Sequence, residues 1–230
     1  MKRRGLLATV GWLAAGSAPI ASAQTPVRPV GEMKTLGGDR YQVGAIIIDK
    51  RARRFTVPGR VHLRDKPLEY LATTVGGMKA YETLFELDTG GSEFNIACIL
   101  VGLERDPKLD LVTRSRSTIP GQRIEISIAW TENGKRRQVS AAEAILNAEV
   151  GVVPADIGWV YIGAPTSDGH PQFATDTTGT LIGFIHDPNC VIESVQPIGL
   201  GAYGSVRGNP ILPPVGSPIE LIVDAAPAGK

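Results

Sequence analysis

Glycine and proline punctuate this chain so densely, 27 and 17 of them among 230 residues, that few apolar runs last long enough to build a long helix. Between the breaks lie short extended segments. Tyr41 to Ile48 is apolar and β-branched, and Asp49-Lys50 closes it. Arg54 to Val57 and Arg60 to Leu63 flank Pro58-Gly59, which reads as a turn. Leu68 to Val75 and Met78 to Leu87 flank Gly76-Gly77, the pattern of a two-residue hairpin with positive φ at both turn positions. Arg123 to Thr131 and Arg136 to Val139 flank Asn133-Gly134, a favoured type I′ turn. Ile124, Ile126 and Ile128 alternate with Glu125, Ser127 and Ala129, so one face of that strand is buried. Gly158 to Ile162, Thr180 to His186 and Ile219 to Val223 read as further strands.

Two stretches change period. Phe94, Ala97, Cys98 and Val101 recur at helical spacing, as do Ile96, Ile99, Leu100 and Leu103. This predicts a buried helix over about 92–104, with Ser92 as N-cap, Glu93 in the first turn and Pro107 beyond its end. Ser140-Ala-Ala-Glu143 is a capping box and predicts a short helix over about 141–148. The expected class is α+β and β-dominated, with mainly antiparallel strands, because tight turns outnumber helical crossovers.

The first 23 residues carry Lys2, Arg3 and Arg4, an apolar stretch from Leu6 to Ala15, and Ala21-Ser22-Ala23. That is the layout of a cleavable signal peptide, whose apolar part is too short to span a bilayer. The expectation is export to the periplasm or medium, a flexible leader over 24–39, a single domain over 40–225 and a tail over 226–230, with no transmembrane span after cleavage. Removing residues 1–23 turns a formal charge of +1 into −2. Nothing basic enough for nucleic-acid binding is left.

The residues that could carry chemistry are few. No G-x-S-x-G, H-E-x-x-H or phosphate-binding loop is present. Asp88-Thr89-Gly90 spells an aspartic-protease triplet, but no second triplet exists to complete a dyad. If Gly76-Gly77 is a two-residue turn, Glu69 and Glu82 stand diagonally on one face of the ribbon, about 7–8 Å apart, beside Leu71 and Leu84. Two carboxylates there could divide acid and base roles or hold a cation; two solvated glutamates on an outer face is the plainer reading. Tyr70 and Tyr81 lie on the opposite, apolar face. Asp168, His170, Asp176 and Asp187 lie in or beside one long connection, where turn-forming Asp is the plainer reading against a cation loop. Cys98 and Cys190 either bridge, as export permits, or stay as two buried thiols. Two cysteines cannot ligate an iron–sulfur cluster, so no cofactor is expected.

Pro67-Leu68-Glu69-Tyr70, Gly76-Gly77, Tyr81-Glu82-Thr83 and Gly102-Leu103, followed by Thr175-Asp176, Gly179-Thr180-Leu181-Ile182 and His186-Asp187-Pro188, together resemble the YdjY domain, a family of exported bacterial proteins. The resemblance implies an exported β-rich domain with no assigned reaction, and marks Glu69, Tyr70, Tyr81 and Glu82 as family-typical. Some members are described as ferredoxin-like; the two cysteines here do not supply a cluster's ligands. The functional expectation is a non-enzymatic binding module of the cell envelope, its partner an envelope protein or small ligand. The alternatives are an acid–base enzyme, such as a hydrolase, or a metal-binding or redox-associated protein, using Glu69 and Glu82.

Overall fold

The computed structural model describes residues 30–109, 119–147, 157–164, 174–195, 198 and 205–225. Its centre is a closed ring of eight strands. In ring order these are β4 (Arg54–Val61), β14 (Pro218–Ala225), β7 (Arg123–Glu132), β10 (Trp159–Tyr161), β12 (Ile192–Ser194), β11 (Thr180–Gly183), β5 (Tyr70–Thr74) and β6 (Thr83–Leu87), which pairs back onto β4. All neighbours in the ring run antiparallel except β5–β6 and β11–β12. A meander of β1 (Met33–Gly37), β2 (Arg40–Val43) and β3 (Ile46–Asp49) extends from β4. β8 (Lys135–Ser140) hangs on β7, and β9 (Ile145–Asn147) pairs with β13 (Val206–Gly208) in a separate ribbon.

Phe55, Val57, Ile126, Ile128, Trp159, Leu181, Leu221 and Val223 are buried in the main core. Each such side chain contributes roughly 1.5–3 kcal/mol by leaving water. α1 (Gly91–Leu100) joins this core through Phe94, whose ring packs edge-on against Phe55 at 5.4 Å. On its other side Tyr161 donates a hydrogen bond to Asn95 Oδ1 at 2.8 Å. Reaching both β4 and β10, α1 lies across one end of the barrel. A smaller core of Tyr70, Val160, Ile162, Cys190 and Val195, with Leu109 and Ile119, lies apart from the main one. Along β10, Trp159 and Tyr161 join the main core while Val160 joins this second one, as strand alternation requires. Among the described residues no helix is long and apolar enough to cross a membrane.

The β-dominated class and the Asn133-Gly134 hairpin hold; Asn133 and Gly134 have φ of 51° and 73°, as a type I′ turn needs. Several local expectations do not. Pro58-Gly59 is no turn: β4 runs straight through it. Pro58 falls where β4 gives up β3 and takes up β6, an interruption that tolerates a residue without an N–H. A Cβ on Gly59 would strike the Glu86 carbonyl oxygen, so this glycine serves close strand approach. Tyr41 to Ile48 is two strands rather than one, folded at Gly44-Ala45, with Gly44 at φ 56°. β1 lies inside the stretch expected to be a leader.

The buried helix is shorter than 92–104. It runs from Gly91 to Leu100 and ends at Gly102, whose φ is 80°; Leu103 N–H then closes on the Cys98 carbonyl at 3.1 Å. Its N-cap is Gly90 rather than Ser92. The capping box at Ser140 and Glu143 forms, with Ser140 N–H and Oγ both donating to Glu143 at 2.8 Å. It opens only a turn, however, and Ile145–Asn147 continues as β9 instead of the helix expected over 141–148. Main-core burial of Ala141, Ala144 and Ile145 and pairing with β13 override the local signal.

Candidate functional site

The Gly76-Gly77 stretch decides where the expected site residues go, and it is not a hairpin. Gly76 has φ 71°, but Gly77 is not in the positive-φ region, so a type I′ turn cannot form. The chain instead folds back through a 3₁₀ turn at Ala80–Glu82 and re-enters as β6, parallel to β5. Tyr70 therefore stands opposite Thr83, and Ala72 opposite Phe85. Glu69 and Glu82 become direct neighbours, Glu69 N–H donating to the Glu82 carbonyl at 3.0 Å. Their expected diagonal placement on a hairpin face is corrected by this parallel register.

Glu82 carries an ion pair. Lys79 Nζ lies 2.8 Å from its carboxylate, donates to Tyr81 Oη at 3.0 Å, and sits over the Tyr81 and Tyr70 rings at 5.3 and 5.9 Å. The bonds to Glu82 and Tyr81 hold the Lys79 ammonium above its ordinary pKa. Tyr81 is 64 % exposed, whereas Tyr70 is buried. Tyr70 donates to Asp187 Oδ2 at 2.8 Å. Burial, then the Asp187 charge, raises its pKa far beyond the usual phenol range. Tyr70 is thus a fixed donor that keeps its proton.

Asp187 leads into a second polar group. Its Oδ1 accepts from the backbone N–H and side-chain amide of Asn189, both at 2.9 Å. Its own N–H donates to Glu193 Oε1 at 2.9 Å, and Glu193 Oε2 lies 3.1 Å from His186 Nδ1. The His186 and Glu193 side chains are 7 % and 0 % exposed. The two halves of the sequence resemblance, Glu69-Tyr70 and His186-Asp187-Pro188, therefore meet in space through the Tyr70–Asp187 bond. Residue spacing carried no signal of that meeting. Glu193 was missed altogether, since it sits in a short β12 that shows no pattern of its own.

Asp176 has a different place. It lies in α2 (Ala174–Thr178), and its Oδ1 accepts from Ser92 N–H at 2.7 Å while Ser92 Oγ donates to Oδ2. It is the side-chain cap of α1. Glu93 assists from within the helix, accepting from Gly90 N–H at 3.1 Å and from Gly31 N–H at 2.7 Å. Asp168 and His170 lie outside the described residues. Cys98 and Cys190 are both buried, in the main and smaller cores respectively, and no disulfide joins them; burial raises the Cys98 thiol well above its usual pKa. Asp88 is exposed at the end of β6, with α1 beginning three residues later.

A concave surface occurs elsewhere. Where β8 leaves β7, the turn from Ser140 to Glu143 and the approach to β10 enclose an open groove of about 520 Å³. Half-buried Val139 and Ile157 supply its apolar surface, while Ile124, Ile126 and Trp159 border it as core residues only 3–4 % exposed; Arg54, Glu125, Gln138, Glu143 and Asp224 supply its polar sides. Arg54 grips Asp224 with Nε at 2.6 Å and Nη2 at 3.0 Å. That bond to Asp224 raises the Arg54 pKa. The two Ser140 donors hold Glu143 below the usual carboxylate range. Sequence reading singled out none of these as site residues, because they come from five separated stretches and share no motif.

No curated protein and no solved structure matches the chain. The model of the YdjY domain matches residues 46–224, which takes in every strand of the barrel. With both halves of the expected motif set joined at Tyr70 and Asp187 within that span, the chain belongs to the YdjY domain family.

Proposed function

We propose that this chain is a non-enzymatic binding module of the cell envelope, with the groove beside β8 as its contact surface. The carrying observation is how the polar groups are spent. Glu82, Asp187, Glu193, Glu86, Glu93 and Asp176 are all bonded to neighbouring protein groups. The groove sets a concave, partly apolar surface beside the carboxylate of Glu125, which has no hydrogen-bond or ion-pair partner among the described residues. Small-ligand and peptide sites have this character, apolar walls with a few placed polar groups. Export rests on the basic start, apolar stretch and Ala21-Ser22-Ala23 of the first 23 residues.

A photo-crosslinking residue placed at Gln138, compared with one at Met33 on β1, tests this in an export host. The expected result is a discrete adduct from Gln138 and none from Met33. Equal adducts from both positions, or none from Gln138, would remove the groove as the contact surface.

One observation favours the acid–base alternative. The parallel register sets Glu69 beside Glu82, next to a lysine and an exposed tyrosine. Under that reading Glu82→Gln abolishes an activity while leaving the melting temperature nearly unchanged. Retention of both activity and stability would end it.

A further inference from the structure

We propose that the open edge of β8 takes an added strand, an extended acidic segment of a partner protein. This deepens, and rests on, the reading of the groove as a contact surface, since β8 gives Gln138, Val139 and Ser140 to the groove lining. Strand register supplies the first argument. Glu132 and Lys135 flank the two-residue Asn133-Gly134 turn and form the first hydrogen-bonded pair of the hairpin. Such pairs alternate with open ones along an antiparallel ladder. Ala141 N–H, donating to the Ile126 carbonyl at 2.8 Å, keeps the same alternation. Lys135, Arg137 and Val139 therefore bond to β7, while the N–H and C=O groups of Arg136 and Gln138 turn outward. No strand pairs with that side among the described residues, and five of the six β8 residues are exposed. Open main-chain groups of this kind are what an incoming strand bonds to.

Charge supplies the second argument. Lys135, Arg136 and Arg137 are consecutive, so cations stand on both faces of this edge, Lys135 and Arg137 on one and Arg136 on the other. Arg136 pairs with Glu220 at 2.7 Å and Arg137 with Glu132 at 3.8 Å, all four side chains being about half exposed. Exposed pairs of this kind are weak and readily exchanged. Lys135 has no ion-pair partner among the described residues. β1, the other strand paired along one edge, carries a single cation, Lys34.

Opposite charges directly across a ladder stabilise it, and like charges destabilise it. A second copy pairing antiparallel through the same edge would set these basic residues against one another. An acidic segment instead meets a cation at three successive positions. Running antiparallel to β8, it would place glutamates opposite Arg137, Arg136 and Lys135, and an apolar residue opposite half-buried Val139.

Calorimetry and amide hydrogen exchange on the protein purified after export test this with the acetylated, amidated peptide Thr-Val-Thr-Glu-Glu-Glu-Thr. One control carries glutamines in place of the glutamates. The other carries an N-methyl group on the middle glutamate, whose N–H would bond to the Arg136 carbonyl. The acidic peptide is expected to bind about tenfold tighter than either control, to weaken as salt is raised, and to slow exchange at the Arg136 and Gln138 amides. Lys135→Gln with Arg137→Gln, both at exposed positions, should remove the preference over the glutamine peptide and leave the melting temperature nearly unchanged. Equal binding of the N-methylated peptide would overturn the added strand, and equal binding of the glutamine peptide would overturn the acidic partner. Protein dimers that protect the same two amides without peptide would assign the edge to a second copy and overturn the proposal. No binding by any peptide would overturn it too, and the Gln138 crosslink then decides the groove separately.

Discussion

Glu86 shows how one buried side chain organises its surroundings. Its Oε2 accepts from Arg60 Nε at 3.0 Å and from Arg60 Nη2, and lies 3.2 Å from His62 Nδ1; its Oε1 accepts from Gly76 N–H at 2.9 Å. Burial alone would push its pKa up. The bonds from Gly76 and Arg60 and the facing His62 outweigh that, and the net shift is downward. A carboxyl whose folded pKa is depressed adds stability above its unfolded pKa, and loses it as pH falls through the folded value. The wild type should therefore lose stability on acidification below the ordinary carboxylate range, and Glu86→Gln should flatten that part of the curve. Glu86→Gln should also cost about 1–3 kcal/mol at neutral pH, since Arg60 and Gly76 lose a charged acceptor. Denaturant titrations across pH measure both; parallel curves for the two proteins would count against the assignment. Tyr70→Phe should likewise destabilise by about 1–3 kcal/mol, because a buried contact to Asp187 loses its donor. Urea midpoints decide it, and a change within about 0.5 kcal/mol, the range of ordinary surface substitutions, would contradict it.

At the scale of elements, helix termini and turns separate what is local from what is not. The Asn133-Gly134 turn and the Ser140–Glu143 capping box formed as their residue types require, because each interaction closes within a few positions. The termini of α1 did not follow local signals alone. Its N-terminus is capped by Asp176, 84 positions away, which no local pattern reveals. Asp176→Ala should destabilise the fold by about 1–2 kcal/mol, the usual cost of a lost side-chain cap. Because α1 lies across the barrel end, Asn95 and Phe94 amides should also gain hydrogen-exchange rate in that variant. Unchanged exchange in α1 would mean that Asp176 does not hold the helix.

The whole molecule is a ring whose closure depends on β6 pairing with β4 on one side and β5 on the other. Strands in the ring have partners on both edges, whereas β1 and β8 each pair along one edge among the described residues. Hydrogen exchange read by mass spectrometry should accordingly show β1 and β8 exchanging before β4, β7 and β14. An order in which β8 outlasts β14 would argue against the ring as the cooperative unit.

Taken alone, the order of residues determined the class of structure, the position of its longest helix, the strands at β7, β10, β11 and β14, and the family. These follow from periodicity and turn chemistry that act within a dozen positions. Tertiary structure decided the rest. It converted Gly76-Gly77 from a hairpin into a return to a parallel strand, made Gly59 a point of strand contact, and turned Asp176 from a loop aspartate into a cap. It also gathered Arg54, Glu125, Glu143 and Asp224 around one groove. Strand register is set by which apolar faces find the core together, and that is a property of the closed ring rather than of any one segment.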